Sequence, residues 1–405
     1  MNIVTKFSNC NVLKDGKILT KDLWVIDGRI ANPEIIFYDK KKIPDIEIDC
    51  LGSLITPGFI DLQINGAFGV DFTYHRGDGI DVVRKGLLQY GVTGFCPTIV
   101  STTSSNYHEI LPKFKRCHGN EEGAAILGAH VEGPFISKLK NGAHSLINIK
   151  TLENSNLTDT YGSLDNIGIV TLAPELYGAM EAIKLLSDNG IVVSLGHTSS
   201  DMETSIQAVK NGATFITHLF NAMISFHHRD PGLIGLIACP PNVEKPLFFG
   251  IIADGTHTHP AALKIAHKVN PEGLVLVTDA LSAIGLPDGI HHLGDKEIEI
   301  KNSKAYIANT NTLCGSVTSL DECMRYFIKA TNCSVAEAIE TVTLHPAMVL
   351  GIQQFKGTLN YGADADFVFL GNKLNVQSTW INGQCVFKHS SGAGYIVKKN
   401  NLNIS

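Results

Sequence analysis

The chain has 405 residues, 44% of them hydrophobic, with a formal net charge of -6 and a pI of about 6.2. That is enough apolar material for a large core, either roughly two to three domains or one large barrel with an appendage. The acidic balance, with no run of like charge, argues against a nucleic-acid partner or an anionic membrane surface. Nine scattered cysteines without a CxxC pair fit reduced thiols better than a disulfide framework. The N-terminus lacks an apolar signal region and no stretch approaches the ~18 apolar residues of a membrane span, so a cytoplasmic location is expected.

In chain order, residues 1–56 carry short strand-like pieces, DLWVIDGRI and IEIDCLGSLI. From about residue 57, apolar strands alternate with helical patterns. The strands are expected at 58–64, 93–100, 124–132, 167–175, 191–197, 213–220, 246–254 and 273–280. The intervening YGAMEAIKLLSDNG and SDMETSIQAVKNG end in Asn-Gly, as a helix C-terminus should. Eight such strands predict an α/β fold, a (β/α)8 barrel spanning 57–353. GADADFVFL and STWINGQCVF follow, so 1–56 and 354–405 are expected to meet as the two parts of one small β-domain.

Chemistry in such barrels sits at the C-terminal ends of the strands. Those ends carry Gln63 and Asn65, His130 and Glu132, Glu175, His197, His218, Asp254 with His257, and Asp279. One strand-end histidine is more often an ordinary rim residue; several converging in a closed barrel carry weight. Zinc and similar ions take imidazole nitrogen and carboxylate oxygen, and a catalytic site uses three protein ligands while keeping a place for water. Glu132, His197 and His218, from strands three, five and six, make such a set. Asp279 ends strand eight and could face that water, or could instead cap a short helix over ALSAIG. Gln63 and Asn65 stand two apart and so point the same way. HHR at 227–229 by itself reads as a solvated loop before a Pro-Gly turn, although a guanidinium such as that of Arg229 can hold phosphate through two parallel hydrogen bonds. No Walker-type loop is present to do so.

HVEGPF (130–135), NGAH (141–144), SLGHTSSD (194–201), THLFNAM (217–223), DGTH (254–257), VTDA (277–280) and GADADFVFL (362–370) together resemble the N-acetylglucosamine-6-phosphate deacetylases of the amidohydrolase superfamily. The likeness runs in order from about residue 45 to 370. It implies hydrolysis of the acetamide of N-acetyl-D-glucosamine 6-phosphate to D-glucosamine 6-phosphate and acetate, a step of amino-sugar metabolism. One divalent ion per subunit would bind Glu132, His197 and His218. Zinc is favoured by that donor set, with iron, cobalt or manganese as alternatives. Asp279 would take the proton of a metal-activated water and pass it to the leaving amine. His144 would donate to the acetamide oxygen as charge builds there.

By the same resemblance the substrate would touch Ala143, His144, Asn221, Ala222, His257 and the loop of Thr312, Leu313 and Cys314, with Arg229 at the phosphate. A homodimer is implied, in which Arg229 or His257 could serve the neighbouring subunit. The chain departs from the pattern at Gln63-x-Asn65, where many amidohydrolases carry His-x-His, and at Ser145, where a proline often follows. Neutral amides are poor metal ligands, so one ion rather than two is expected. The competing reading is another metal-dependent amidohydrolase, acting on a cyclic amide or an N-acylated small molecule. A silent scaffold is disfavoured because all three metal ligands are present.

Overall fold

The expected strands do form, and they close on one another. The computed structural model describes residues 3–39, 43–153, 156–241, 245–293, 296–301, 304–310, 313–390, 392 and 394–399. Its barrel strands are β1 (Phe59–Ile64), β2 (Val92–Ile99), β3 (Ala129–Glu132), β4 (Ile167–Leu172), β5 (Val192–Leu195), β6 (Ala213–Ile216), β7 (Phe248–Ile252) and β8 (Leu274–Val277). Each pairs in parallel with the next. Residues in β1 to β4, β7 and β8 are buried along their whole length, as strands covered on both faces must be, hence their near-continuous apolar runs. Closure falls between β8 and β1, where a parallel bridge joins Ile64 to Ala280. It is flanked by Asn65 N–H to the Ala280 carbonyl at 2.8 Å and Asp279 N–H to the Gln63 carbonyl at 2.8 Å.

Three expectations need correction. Strand three is split, because Ala125–Ile126 pairs with β2 separately from Ala129–Glu132. Gly128 between them has φ 110° and a Cβ there would meet the Arg116 guanidinium carbon at 2.8 Å, so only glycine turns the chain at that point. Strands four to eight stop two to four residues short of their expected ends. Finally, a four-stranded antiparallel sheet, Gly289–Leu293, Lys296–Lys301, Lys304–Ile307 and Leu313–Gly315, interrupts the barrel after β8. Nothing in the strand-and-helix alternation announces it.

The helical patterns fold as Ala179–Asp188 and Met202–Lys210, each followed by Asn-Gly with the glycine at positive φ. Outside the barrel, both ends of the chain contribute to both of two sheets. One runs in the order Ile396–Lys399, Ile46–Asp49, Val4–Ser8, Leu23–Ile26 and Arg29–Ile30; the other runs Gln384–Lys388, Val376–Ile381, Phe367–Leu370, Leu54–Pro57, Asn11–Lys14 and Lys17–Thr20. An aromatic knot joins them: Phe7 meets Phe367 and Trp380 edge-on at 5.1 and 5.2 Å, and Phe367 stacks on Trp380 at 5.5 Å. No described helix is long and apolar enough to cross a membrane.

Lys356, after the last barrel helix (Leu344–Val349), reaches into this β region, where its ammonium lies 2.7 Å from Asp364 and 2.6 Å from Asp366. Both carboxylates are buried, and Arg29 pairs with Asp364 from the other side at 2.6 Å. Removing the cation strands the buried Asp366 charge and leaves Asp364 with Arg29 alone, so Lys356→Ala should cost roughly 3–5 kcal/mol. Chemical denaturation would read this as a lower midpoint, and an unchanged midpoint would refute it.

Candidate active site

The C-terminal rim of the barrel gathers most of the groups that the sequence singles out. Glu132 is the last residue of β3, whereas His197, His218 and Asp279 each lie two residues beyond β5, β6 and β8. That shift has a backbone cause: the three take φ of 49°, 25° and 44°, which no strand ladder accepts. Such a turn swings each side chain off the sheet and over the barrel mouth.

Glu132 Oε1 lies 3.2 Å from His197 Nε2 and 3.0 Å from His218 Nε2, and the two nitrogens are 3.0 Å apart. All three residues are buried. Ligand atoms bound tetrahedrally at ~2.0–2.1 Å from an ion stand about 3.3 Å apart, so the donor set and its spacing suit a zinc-like cation. The tautomers agree. His197 Nδ1 must donate to the Lys140 carbonyl, 2.8 Å away, which leaves the Nε2 lone pair facing inward. Burial would push the Glu132 carboxyl up, but the neighbouring His197 and His218 imidazoles hold it well below the ordinary range.

His144 is drawn into the same cluster, its ligand atom within 4.8 Å of those of Glu132 and His197. Its hydrogen bonds give it a different role. Nδ1 accepts the Ser101 N–H at 3.1 Å and lies 2.8 Å from the Ser101 hydroxyl. The neutral ring therefore carries its proton on Nε2, which is 3.9 Å from Glu132 Oε2. Burial, reinforced by His197, pushes its value down to about 3. His144 is buried.

The two amides of strand one meet the two carboxylates. Gln63 Nε2 donates to Glu132 Oε1 at 2.9 Å and Asn65 Nδ2 donates to Asp279 Oδ1 at 2.7 Å. Their own oxygens, with His218 Nδ1, are buried without a partner among the described residues, so the pocket keeps polar capacity for water or a ligand. Asp279 caps no helix, since a turn follows it. Its carboxyl is pushed up to about 6 by burial and then by the Glu132 charge, with His218 and Asn65 pulling the other way.

Further out the rim is more open. Asp254 holds His257 Nδ1 at 2.6 Å and also accepts the N–H groups of Thr256 and His257, both at 2.8 Å. Burial would lower the His257 value, but the Asp254 bond outweighs it and favours the imidazolium. Asn221 and Ala222 follow His218, with the Ala222 carbonyl accepting Thr198 N–H at 3.1 Å. Ala143 is exposed, and Arg229 is exposed with no side-chain hydrogen bond or ion pair among the described residues. Leu313 and Cys314 belong to the strand Leu313–Gly315, and Thr312 lies outside the described residues. Leu281 N–H to the Ser316 carbonyl at 2.9 Å lays that segment beside the Asp279 turn.

Sequence reasoning named Glu175 only as a strand end. It proves to be the anchor of the His197 turn, its carboxylate accepting Thr198 Oγ1 at 2.5 Å, Ser199 N–H at 2.7 Å and Ser199 Oγ at 2.9 Å. Ser101, Lys140 and Asp61 were not singled out at all.

A parallel barrel with a buried carboxylate and two imidazoles poised to share an ion, and a second carboxylate beside them, defines a class of hydrolases. A model of the amidohydrolase family matches residues 54–386. The chain is 50% identical over 392 residues, 95% of its own length and 96% of the relative's, to an N-acetylglucosamine-6-phosphate deacetylase of Bos taurus. The crystal structure of the corresponding enzyme from Pasteurella multocida superposes with a TM-score of 0.82 at 27% identity, covering 95% of this chain and 99% of that one. A mutant of the Mycobacterium smegmatis enzyme, in complex with N-acetyl-D-glucosamine-6-phosphate, gives 0.78 at 25% identity, over 95% and 99% of the two chains. The chain therefore belongs to the amidohydrolase family, and within it to the N-acetylglucosamine-6-phosphate deacetylases.

The His144 assignment can be checked directly. Because its value is lowered, the ring should stay neutral with the proton on Nε2 from about pH 5 to 9, in contrast to an ordinary histidine near 6.5. Nitrogen-15 NMR of histidine-labelled protein reads both tautomer and charge; a titration near neutrality would refute the assignment.

Proposed function

We propose that the chain hydrolyses the acetamide of N-acetyl-D-glucosamine 6-phosphate, releasing D-glucosamine 6-phosphate and acetate. The observation that carries this is the convergence of Glu132, His197 and His218 with Asp279 and His144 about one buried pocket, in a chain half identical to such deacetylases. Glu132, His197 and His218 would hold a single divalent ion, with zinc favoured by the donor types. When bound, that ion supplies Lewis acidity and lowers the pKa of water toward ~7.

The remaining work belongs to the chain. Asp279, with Oδ1 held by Asn65, keeps Oδ2 to accept the proton of the attacking water and return it to the leaving nitrogen. A carboxyl raised toward neutrality suits both halves of that shuttle. The His144 Nε2–H is a neutral, buried donor for the acetamide oxygen as negative charge develops on it. At the other end of the sugar, Arg229, His257 and the backbone at Asn221 and Ala222 would read the phosphate, with Ala143 and the Thr312–Leu313–Cys314 loop lining the sugar.

Large apolar side chains stand exposed on the loops of the same rim, among them Leu139, Ile147, Tyr177 and Phe226. They support a homodimer that covers this face, in which Arg229 or His257 could reach the neighbouring subunit's site. The eight cysteines whose side chains are described are all free thiols, which suits a cytoplasmic setting.

Purified protein should release acetate from N-acetylglucosamine 6-phosphate far faster than from N-acetylglucosamine, and chelation should abolish it. Release from neither sugar would favour another amidohydrolase substrate. Asp279→Asn should lower kcat by about 10² to 10⁴ with the metal retained. Arg229→Ala should raise KM for the phosphorylated sugar and barely affect the unphosphorylated one; equal loss on both would contradict its role. Metal analysis should find one ion per chain, and converting Gln63 and Asn65 together to histidine should create a second site. Two tightly held ions in the unaltered protein would overturn the single-ion reading.

A further inference from the structure

Asp61 is a carboxyl that the chemistry above does not use, and it is 1% exposed. It lies in β1 two residues before Gln63 and so shares its inward face. Its partners are few. Oδ2 accepts the Thr278 hydroxyl at 2.6 Å, and Oδ1 accepts the N–H groups of Gln63 at 3.2 Å and Thr278 at 3.3 Å. Among the described residues no lysine, arginine or histidine pairs with it. The ionisable groups that sense it are Asp279, across the β8 seam, and the buried thiols of Cys96 on β2 and Cys323 on the helix Leu320–Thr331. An anion in that setting is costly, and burial pushes its value up to about 7 against the pull of Thr278 and Gln63.

What this carboxyl holds is the residue next to Asp279. The seam between β8 and β1 has no regular ladder, only the bridge at Ile64 and Ala280. Asp279 itself sits at φ 44°, a conformation that a non-glycine residue keeps only when its surroundings over-determine it. On the Ala280 side the turn is fastened by Asn65 N–H, and at Asp279 by the Gln63 carbonyl. On the Thr278 side the shortest fastening is Asp61 at 2.6 Å, with the same hydroxyl 3.2 Å from the Gln63 carbonyl and accepting the Ala280 N–H at 3.3 Å.

We propose that Asp61 is a positioning residue for the reaction: by gripping the hydroxyl and main-chain N–H of Thr278, it fixes the left-handed backbone of Asp279 and hence where the Asp279 carboxyl reaches. The inference rests on the deacetylase reading for its kinetic test. Thr278→Val keeps the branched shape and removes the hydroxyl, whereas Thr278→Ser keeps the hydroxyl. The valine variant should lose about a hundredfold in kcat with KM and bound metal unchanged, and the serine variant should stay within about threefold of the original.

Equal kcat in the valine and unaltered proteins would overturn the proposal. So would loss of metal in step with kcat, since the clamp would then serve the ion site. If the valine variant fails to fold, Asp61→Asn, which removes the buried charge, carries the same comparison. Should the unaltered protein release no acetate, the deacetylase reading fails separately. The clamp is then decided by a crystal structure of the valine variant, in which Asp279 should leave the left-handed region. An unchanged φ would refute it.

Discussion

A carboxylate oxygen and two imidazole nitrogens, all buried and within 3.2 Å of one another, cannot coexist without positive charge among them. Burial would lower the His218 value, but the bond to Glu132 and the Glu132 charge raise it. A divalent cation held by these three residues would supply positive charge to the same cluster. The surroundings are arranged around this demand. The Lys140 carbonyl turns one histidine so that its lone pair faces the centre, while the Ser101 N–H turns another so that its hydrogen does. The same side chain thus appears in opposite tautomers a few ångströms apart, each set by its second nitrogen.

Inside the pocket every group is preorganised, and outside it the groups are loose. Glu132, His197, His218, His144 and Asp279 are held by buried partners and by turns whose strain the barrel absorbs. Arg229 and Ala143 are exposed, and His257 keeps a quarter of its side chain in solvent. Bond cleavage needs atoms fixed to a fraction of an ångström, and it is the buried groups that meet that demand.

Much of this was legible in the sequence because strand ends are legible. Apolar runs broken by glycine or by polar pairs put Glu132, His197, His218 and Asp279 on one rim. Their exact backbone was not, since left-handed φ at histidine or aspartate leaves no compositional trace. Partners were harder still. Gln63 and Asn65 stood out as odd residues, but their acceptors lie 69 and 214 positions away. Lys140 acts through a carbonyl, which every residue has. The sheet inserted after β8 was hidden because GIHHLGDKEIEIK alternates with little apolar content.

The interleaving of the two chain ends bears on how the molecule is made. Strand Ile46–Asp49 waits for Ile396–Lys399, and Leu54–Pro57 for Phe367–Leu370. At about 5–20 residues per second, a ribosome needs roughly 20–70 s to deliver the later strand of the first pair. For that interval the early strands carry unpaired edges, so the barrel must fold while tethered to an unfinished neighbour. The β region is then the clasp fastened last, and a chain cut short before residue 367 leaves both of its sheets without their later strands.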